Sequence, residues 1–542
     1  MDNTIKTQIH FSPEQIPEVK ESMALLELDV PTVAHKELIQ KMVRGIAPQA
    51  VLKEGDSGAC AAYDGSRLVA FVHPKTGETN VFPSLEALKS GRGLAGRAKA
   101  VSERLVHDTA LFPKDGTQLS ALAPVTLVAS NHSRNGDLTE PAEYLSFVRI
   151  ERQVNGLPVF GPGTRAMIAV AHDDTIHAFA HRWRSAHPSG EKVVPHSRAK
   201  IAKAILAQLD TSAESADVRV DKVILGYYDS GAHFLQPVYR FHATVIFPNK
   251  SLHAANRHVF GYVSIGVAPE PLPVLGIQYG ESPKEPGSRP KSQEQPKPLP
   301  PGDPTVGRYV VRNDSQGWVD SANNFFANLE GASAIAGLLG RSPIQFTNSQ
   351  YYWAEPRLFL SEKDSFVNSV QIALTEVHGN WGLFSTRDNH DDLVSLSSIP
   401  STGYGGGGGG SLAYWILHSC EVIPTQTDES TSFDVWWNIF NGLHAVLGYR
   451  TEMWINDGVT GPFGLSIGLG APVVSAWLNA VVSDDSYGVG DATYLDDNFN
   501  PNKSEPMGRA SAIAVCGHGD DIASDLAPLG QATCLTEWWF NN

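Results

Sequence analysis

The chain has 542 residues, 42% of them hydrophobic and 18% charged, with a formal net charge of −16. That length suggests two to four domains, and the composition excludes an intrinsically disordered chain. The acidic balance, with no dense Lys/Arg run, argues against a nucleic-acid partner or an anionic membrane surface, because phosphates attract basic faces.

The first residues, "MDNTIKTQIHFSPEQIPEVKES", hold no basic segment followed by an apolar core, so no signal peptide is visible. As written the chain is expected to be cytoplasmic; a leader removed beforehand would make it secreted. No apolar stretch approaches the roughly 20 residues of a bilayer-crossing helix, so no membrane span is expected. Four cysteines, Cys60, Cys420, Cys516 and Cys534, do not make a disulfide framework in a chain this long. Their isolated spacing also excludes a CxxC zinc site. Asn-x-Ser sequons at Asn131, Asn249, Asn313 and Asn502 are near what chance gives.

Residues 1–140 are expected to form an N-terminal α+β region: a helical start, then a small β-meander over "GACAAYDGSRLVAFVHPKTGETNVF". Residues 141–267 are expected to form an α+β domain. "LSFVRIERQVNGLPVF" predicts two strands joined at Asn155-Gly156, a favoured hairpin turn. "AMIAVAHDDTIHAFAHRW" repeats that design with a bend at Asp173-Asp174. "SRAKIAKAILAQLD" predicts a helix with Ile201, Ile205 and Leu209 on one face. "KVILGYYDSGAHFLQPVYRFHATVI" supplies two more strands. Residues 268–304 are rich in Pro, Gly, Ser, Lys and Glu and are expected to be a semi-extended linker.

The residues "FVRIERQVNGLPVFGPGTRAMIAVAHDDTIHAF" resemble the pro-region module that precedes thermolysin-like metallopeptidases. The helix after them and "LQPVYRFHATV" resemble the related PepSY module. Such modules chaperone or inhibit an attached peptidase, so the resemblance implies an intramolecular contact between this half and the one that follows. The plainer alternative is a β-rich packing domain with no regulatory role. No HExxH occurs, which excludes zinc catalysis of the thermolysin type.

Residues 305–542 are expected to form a layered α/β domain with a mostly parallel sheet. "DSANNFFANLEGASAIAGLL" predicts a helix burying Phe325, Phe326 and Leu329. "SFVNSVQIALTEV" leads into a strand ending at "HGNWG". "SLAYWILHSC", bounded by Gly405–Gly410 and Pro424, is a continuous apolar run of the kind found in strands covered on both faces. "TSFDVWWNIFNGLHAVLG" predicts a helix capped by Thr431 or Ser432. Its buried stripe would be Phe433, Trp436, Trp437, Phe440 and Leu447, and Gly448 would end it.

Open α/β sheets carry their functional groups at the carboxyl ends of strands. His378 lies just past one such end and Cys420 past another. If the two strands are neighbours, imidazole and thiol share one cleft. The histidine can then hold the thiolate and give a proton to a leaving amine. Gly379 lets backbone approach a substrate carbonyl and offer an N–H to the oxyanion.

"IALTEVHGN" and "LAYWILHSC" resemble the pattern of the caspase-like (clan CD) cysteine peptidases: apolar block, His-Gly, spacer, apolar block, Cys. That resemblance implies Cys420 as nucleophile, His378 as base and Gly379 as part of the oxyanion hole. Asn380, Glu421 and His418 are then the substrate-binding candidates, with His418 also open to a core role. "HGNWG", "LHSCEV" and "FNGLHAVLGYRT" resemble more closely a group of bacterial and fungal proteins catalogued as a domain of unknown function, over most of residues 305–540. The chain departs from caspases in having His418-Ser419-Cys420 where they carry Gln-Ala-Cys, and no Arg or Asp cluster marks an S1 pocket.

A second pairing, His518-Gly519 with Cys534, lacks an apolar strand before its cysteine. Asp388, Asp391 and Asp392 with Asn389 or His390 offer oxygen ligands suited to Ca²⁺; a solvated loop is the simpler reading, and no metal is expected. No cofactor is expected either, since the glycine run lacks the Lys-Ser/Thr of a phosphate loop. The expected function is a cysteine hydrolase, peptidase-like or a related acyl transferase, acting on a peptide or small-molecule substrate. The alternatives are a non-catalytic binding or scaffold protein on the same fold, or a cyclase or transpeptidase of specialised metabolism reusing the cleft.

Overall fold

The computed structural model describes residues 8–29, 36–55, 58–107, 112, 115–210, 217–246, 256–287, 303–312, 317–387, 392–425, 428, 432–495 and 501–541. The apolar runs of the second half form five parallel strands. Their spatial order is Thr347–Trp353, Thr305–Val310, Ile372–Glu376, Tyr414–His418, Ala445–Tyr449. The last three are buried along their whole length, as a strand covered on both faces requires. Ala510–Val515 then pairs antiparallel with Ala445–Tyr449, and Cys534–Asn541 pairs antiparallel with Ala510–Val515.

The sheet does not stop there. Cys534–Asn541 also pairs with Val125–Ser133, from Cys534 against Ser133 to Asn541 against Thr126. From Val125–Ser133 the sheet runs on antiparallel through Ala142–Val154, Ala166–Val170, Ile176–His181 and Thr79–Val81. Strands from both sides of the Pro-rich segment therefore share one mixed parallel and antiparallel sheet, and the fold is mixed α/β.

The helix Trp318–Leu338 connects the first two parallel strands and buries Trp318, Phe325, Phe326 and Leu329. It packs against the helix Thr460–Gly468 at close range. A Cβ on Gly464 would stand 2.4 Å from the Phe325 carbonyl oxygen, and one on Gly468 2.6 Å from Ala332 Cβ. Only glycine admits that approach. Among the described residues no helix is long and apolar enough to cross a membrane.

In the first half, Ala142–Val154 and Leu157–Phe160 form the expected hairpin. Asn155 and Gly156 take φ of 52° and 75°, both in the left-handed region that a tight I′ turn demands. The helix Arg198–Asp210 buries Ile201, Ile205 and Leu209 and packs on Asn256–Ser264. Asp217–Asp229 and Phe234–Ile246 pair antiparallel as read from sequence. The meander appears as Cys60–Asp64, Arg67–Val72 and Thr79–Val81. The start of the chain is not purely helical, however. Strands Gln8–His10 and Met23–Leu28 precede the helix Lys36–Ile46, and they pair with Asp217–Asp229 and Ala186–Val193.

The helix expected over residues 431–447 is also corrected. The chain makes a 3₁₀ turn at Ser432–Val435 and one helical turn at Trp436–Ile439, then the parallel strand Ala445–Tyr449. Gly442 breaks the helix with φ 125°, and a Cβ there would stand 2.4 Å from the Gly406 amide nitrogen. Leu447 and Gly448 thus belong to a strand. Thr431 lies outside the described residues. One disulfide joins Cys516 to Cys534, while Cys60 and Cys420 are free; the second candidate pairing loses its thiol to that bridge.

Candidate functional site

The site grows from two adjacent strands. Ile372–Glu376 and Tyr414–His418 pair in parallel, with Glu376 opposite His418 at their carboxyl ends. His378 and Cys420 each lie two residues beyond. His378 opens a short strand, His378–Asn380, in a small antiparallel sheet with Leu383–Ser385 and Leu393–Ser395. Its buried ring packs edge-on to Trp318, with centroids 5.6 Å apart.

Gly379 meets the cysteine segment directly. A Cβ at that position would lie 2.1 Å from the Cys420 carbonyl oxygen and 2.2 Å from Ser419 Oγ. The His-Gly and Ser-Cys segments are thus in contact through a position where no side chain fits.

Cys420 sits beyond the strand end, half-buried and packed against the core. Its sulfur accepts a hydrogen bond from the Met453 N–H at 3.4 Å. Burial pushes the thiol well above its ordinary range, and the carboxylates of Glu452 and Glu421 push it further. Glu421 is buried in the left-handed region, φ 51°, and its N–H donates to the Thr451 carbonyl. Asn380 is buried, with its side-chain oxygen accepting the Trp381 N–H at 2.7 Å. Asp392 pairs with Arg387; Asp388, Asn389, His390 and Asp391 lie outside the described residues.

His418 is buried in the core, one of the two places its position in the sequence left open. The strand ends at His418, so alternation does not carry its side chain to the face of Cys420. Its Nδ1 lies 2.5 Å from Glu376 Oε2, and its Nε2 lies 3.3 Å from Asp457 Oδ2. Burial alone would lower its pKa, but the two carboxylates outweigh that and raise it to about 10. The ring is an imidazolium at neutral pH. Burial raises the Glu376 carboxyl, and His418 and Ser321 oppose the rise. Ser321 Oγ donates to Glu376 at 2.7 Å, and the Tyr449 hydroxyl donates to Asp457 at 3.0 Å.

Ser321 and Asp457 also face a cleft of about 690 Å³ between the two halves, opposite Arg165, Arg182, Tyr228 and Tyr262. Neither Cys420 nor His378 lines it. The sequence reading missed Glu376, Asp457 and Ser321. A usable signal was present: an ionisable residue stands at the same place in each of two apolar strands, two positions before His378 and before Cys420.

The first half reaches this region through two neighbouring strands, Phe234–Ile246 and Asn256–Ser264. His258 Nε2 lies 3.0 Å from Glu452 Oε2. The Trp454 ring packs on Phe260 and His242 with centroids 5.5 and 5.0 Å apart. The Asn456 amide donates to the Phe260 carbonyl at 2.6 Å and accepts its N–H at 3.2 Å. The segment from Glu452 to Asn456, which holds the Cys420 sulfur, is pinned from outside.

Residues 353–505 match the model of a domain of unknown function, DUF6345. No curated protein matches the chain. A solved structure of an uncharacterized protein from Eubacterium rectale is similar at 11% identity and a TM-score of 0.28, covering 45% of this chain and 84% of that one.

Proposed function

We propose that the protein is a cysteine hydrolase of caspase-like layout, held in a latent form by its own first half. The observation that carries this reading is the contact of the His378-Gly379 and Ser419-Cys420 segments at the carboxyl ends of two neighbouring parallel strands. In the reaction, His378 takes the Cys420 proton and the sulfur attacks an amide carbonyl carbon. The C–N bond then breaks as His378 returns the proton to the leaving nitrogen. Water, or an amine, cleaves the thioester and frees the sulfur. The Gly379 N–H is the candidate donor to the oxyanion.

The high pKa of the thiol belongs to the latent form in this reading. Glu452 is one cause of it, and His258 from the first half holds Glu452 in place. Freeing the segment Glu452–Asn456 removes a carboxylate from the sulfur and opens a path to it. The resemblance of residues 141–267 to peptidase pro-region modules agrees with such a restraint.

A second reading has its own support. The cleft between the halves excludes both Cys420 and His378, which suits a binding protein whose ligand sits against Ser321, Asp457, Arg165 and Arg182 without turnover. Alkylation of Cys420 by iodoacetamide, followed by mass in a Cys60→Ala background, separates the two. The hydrolase reading expects slow labelling at pH 7 in the intact protein, faster labelling in His258→Ala, and amide cleavage abolished by Cys420→Ala and by His378→Ala. Cleavage unaffected by Cys420→Ala sinks it, and so does a thiol equally inert in His258→Ala.

A further inference from the structure

At the opposite, amino end of the parallel strands, away from the carboxyl ends that carry His378 and Cys420, a second cluster forms. His444 stands just before the strand Ala445–Tyr449, and it meets the loop that follows Ala510–Val515. We propose that His444, His518 and Asp521 bind a divalent transition-metal ion such as Zn²⁺. This inference is independent of any role for Cys420.

The ligand atoms lie within 4.8 Å of one another. His444 Nδ1 is 2.5 Å from Asp521 Oδ2, and His518 Nδ1 is 2.8 Å from the same oxygen. The other nitrogen of His444 decides what this closeness means. Nε2 lies 2.8 Å from the Ala527 carbonyl oxygen, which can only accept, so Nε2 carries a hydrogen. In the neutral ring the Nδ1 lone pair then points straight at a carboxylate oxygen. Two electron pairs face each other, and a cation, either a proton or a metal ion, has to stand between them. A histidine that gives its far N–H to a backbone carbonyl and turns its lone pair inward is oriented as metal-ligating histidines are.

The frame around the cluster is stiff. The His444 side chain is 3% exposed, and its ring packs against Tyr414 with centroids 5.3 Å apart. The Tyr414 hydroxyl in turn donates to the carbonyls of Ile522 and Asp525 at 2.7 and 3.0 Å. The Asp521 carbonyl accepts the Val473 N–H at 2.9 Å, and the Cys516–Cys534 disulfide anchors the start of the loop. His518 and Asp521 are more open, with side chains 34% and 19% exposed. One buried, fixed ligand and two at the surface give an ion a route in and a coordination position toward water.

Imidazole with carboxylate suits Zn²⁺, Co²⁺, Ni²⁺ or Fe²⁺ better than Ca²⁺ or Mg²⁺, which prefer all-oxygen sets. Bonds of about 2.0–2.2 Å set ligand atoms about 3.3 Å apart. Uptake therefore moves the Asp521 carboxylate outward by less than about 1 Å and brings the two ring nitrogens, which lie within 4.8 Å of each other, to that same spacing.

The test uses the full chain. Co²⁺ is titrated with visible absorption as the readout, and Zn²⁺ by calorimetry, on the wild type, His518→Ala and Asp521→Asn. His518 is chosen because its partly exposed side chain can be removed without emptying the core, and circular dichroism verifies the fold of each variant. The expected result is one equivalent of ion with a ligand-field spectrum in the wild type, and affinity lower by roughly tenfold or more in both variants. The chain has 19 histidines, so the difference between proteins decides. No stoichiometric uptake by the wild type, or equal affinity in the variants, overturns the site.

Discussion

Glu376 and His418 face each other across two adjacent parallel strands, Oε2 to Nδ1 2.5 Å, with both side chains fully buried. The pair places a carboxylate and an imidazolium inside the core, and Asp457 closes the chain of charges at 3.3 Å. Removing one partner strands the other. Glu376→Gln is expected to cost about 3–5 kcal/mol, the usual penalty for leaving a buried charge uncompensated. Urea unfolding measures it, and a loss below about 1 kcal/mol would show that the pair is not ionised.

The same pair sets a pH dependence whose sign follows from His418. Its folded pKa, about 10, lies above the ordinary 6.5. Its contribution is fully present below about pH 6.5, fades as pH rises, and is gone above pH 10. The slope is at most about 1.4 kcal/mol per pH unit for one proton. Urea midpoints at pH 6, 8 and 10 should fall steadily in the wild type and less steeply in His418→Gln. Parallel curves would contradict the assignment.

Two glycines should respond oppositely to the same substitution. Gly379→Ala drives a methyl into the Cys420 carbonyl and Ser419 Oγ, so the two segments must separate, at about 1–3 kcal/mol. Gly331, exposed in the helix Trp318–Leu338, has nothing within 4 Å of a new Cβ. Gly331→Ala is expected to stabilise by about 0.5–1 kcal/mol. Thermal melts of both variants check the contrast, and a neutral Gly379→Ala would mean the contact is loose.

Reduction of the Cys516–Cys534 bridge, which spans 18 positions, is expected to remove about 3 kcal/mol. Melting the protein with and without dithiothreitol measures this. An unchanged midpoint, with thiol counting that confirms reduction, would refute it.

Much of the fold was legible because its signals are local. Asn155-Gly156 demands a hairpin turn, Ile201, Ile205 and Leu209 recur at helical spacing, and the run Tyr414–His418 is apolar enough to need cover on both faces. The adjacency of the His378 and Cys420 strands was only a condition in the sequence, and the parallel pairing of Ile372–Glu376 with Tyr414–His418 meets it. The helix expected through Leu447 failed because Phe433, Trp436 and Phe440 fit helical spacing by accident. Backbone contact with the glycine run, visible only in three dimensions, fixes the break at Gly442. The pinning of Glu452 by His258, 194 positions apart, leaves no mark in local pattern. The same is true of the pairing of Val125–Ser133 with Cys534–Asn541, since any antiparallel edge of suitable length would read alike.

That last pairing has a consequence for any activation by clipping. Cys534–Asn541 is bonded on both sides, to Ala510–Val515 and to Val125–Ser133. A break in the Pro-rich stretch would therefore leave the two pieces zipped along a continuous ladder. A nicked preparation should elute from a sizing column as one particle, coming apart only under denaturant. Whatever wakes the thiol has to act by loosening a few residues in place, because the amino-terminal portion is not free to leave.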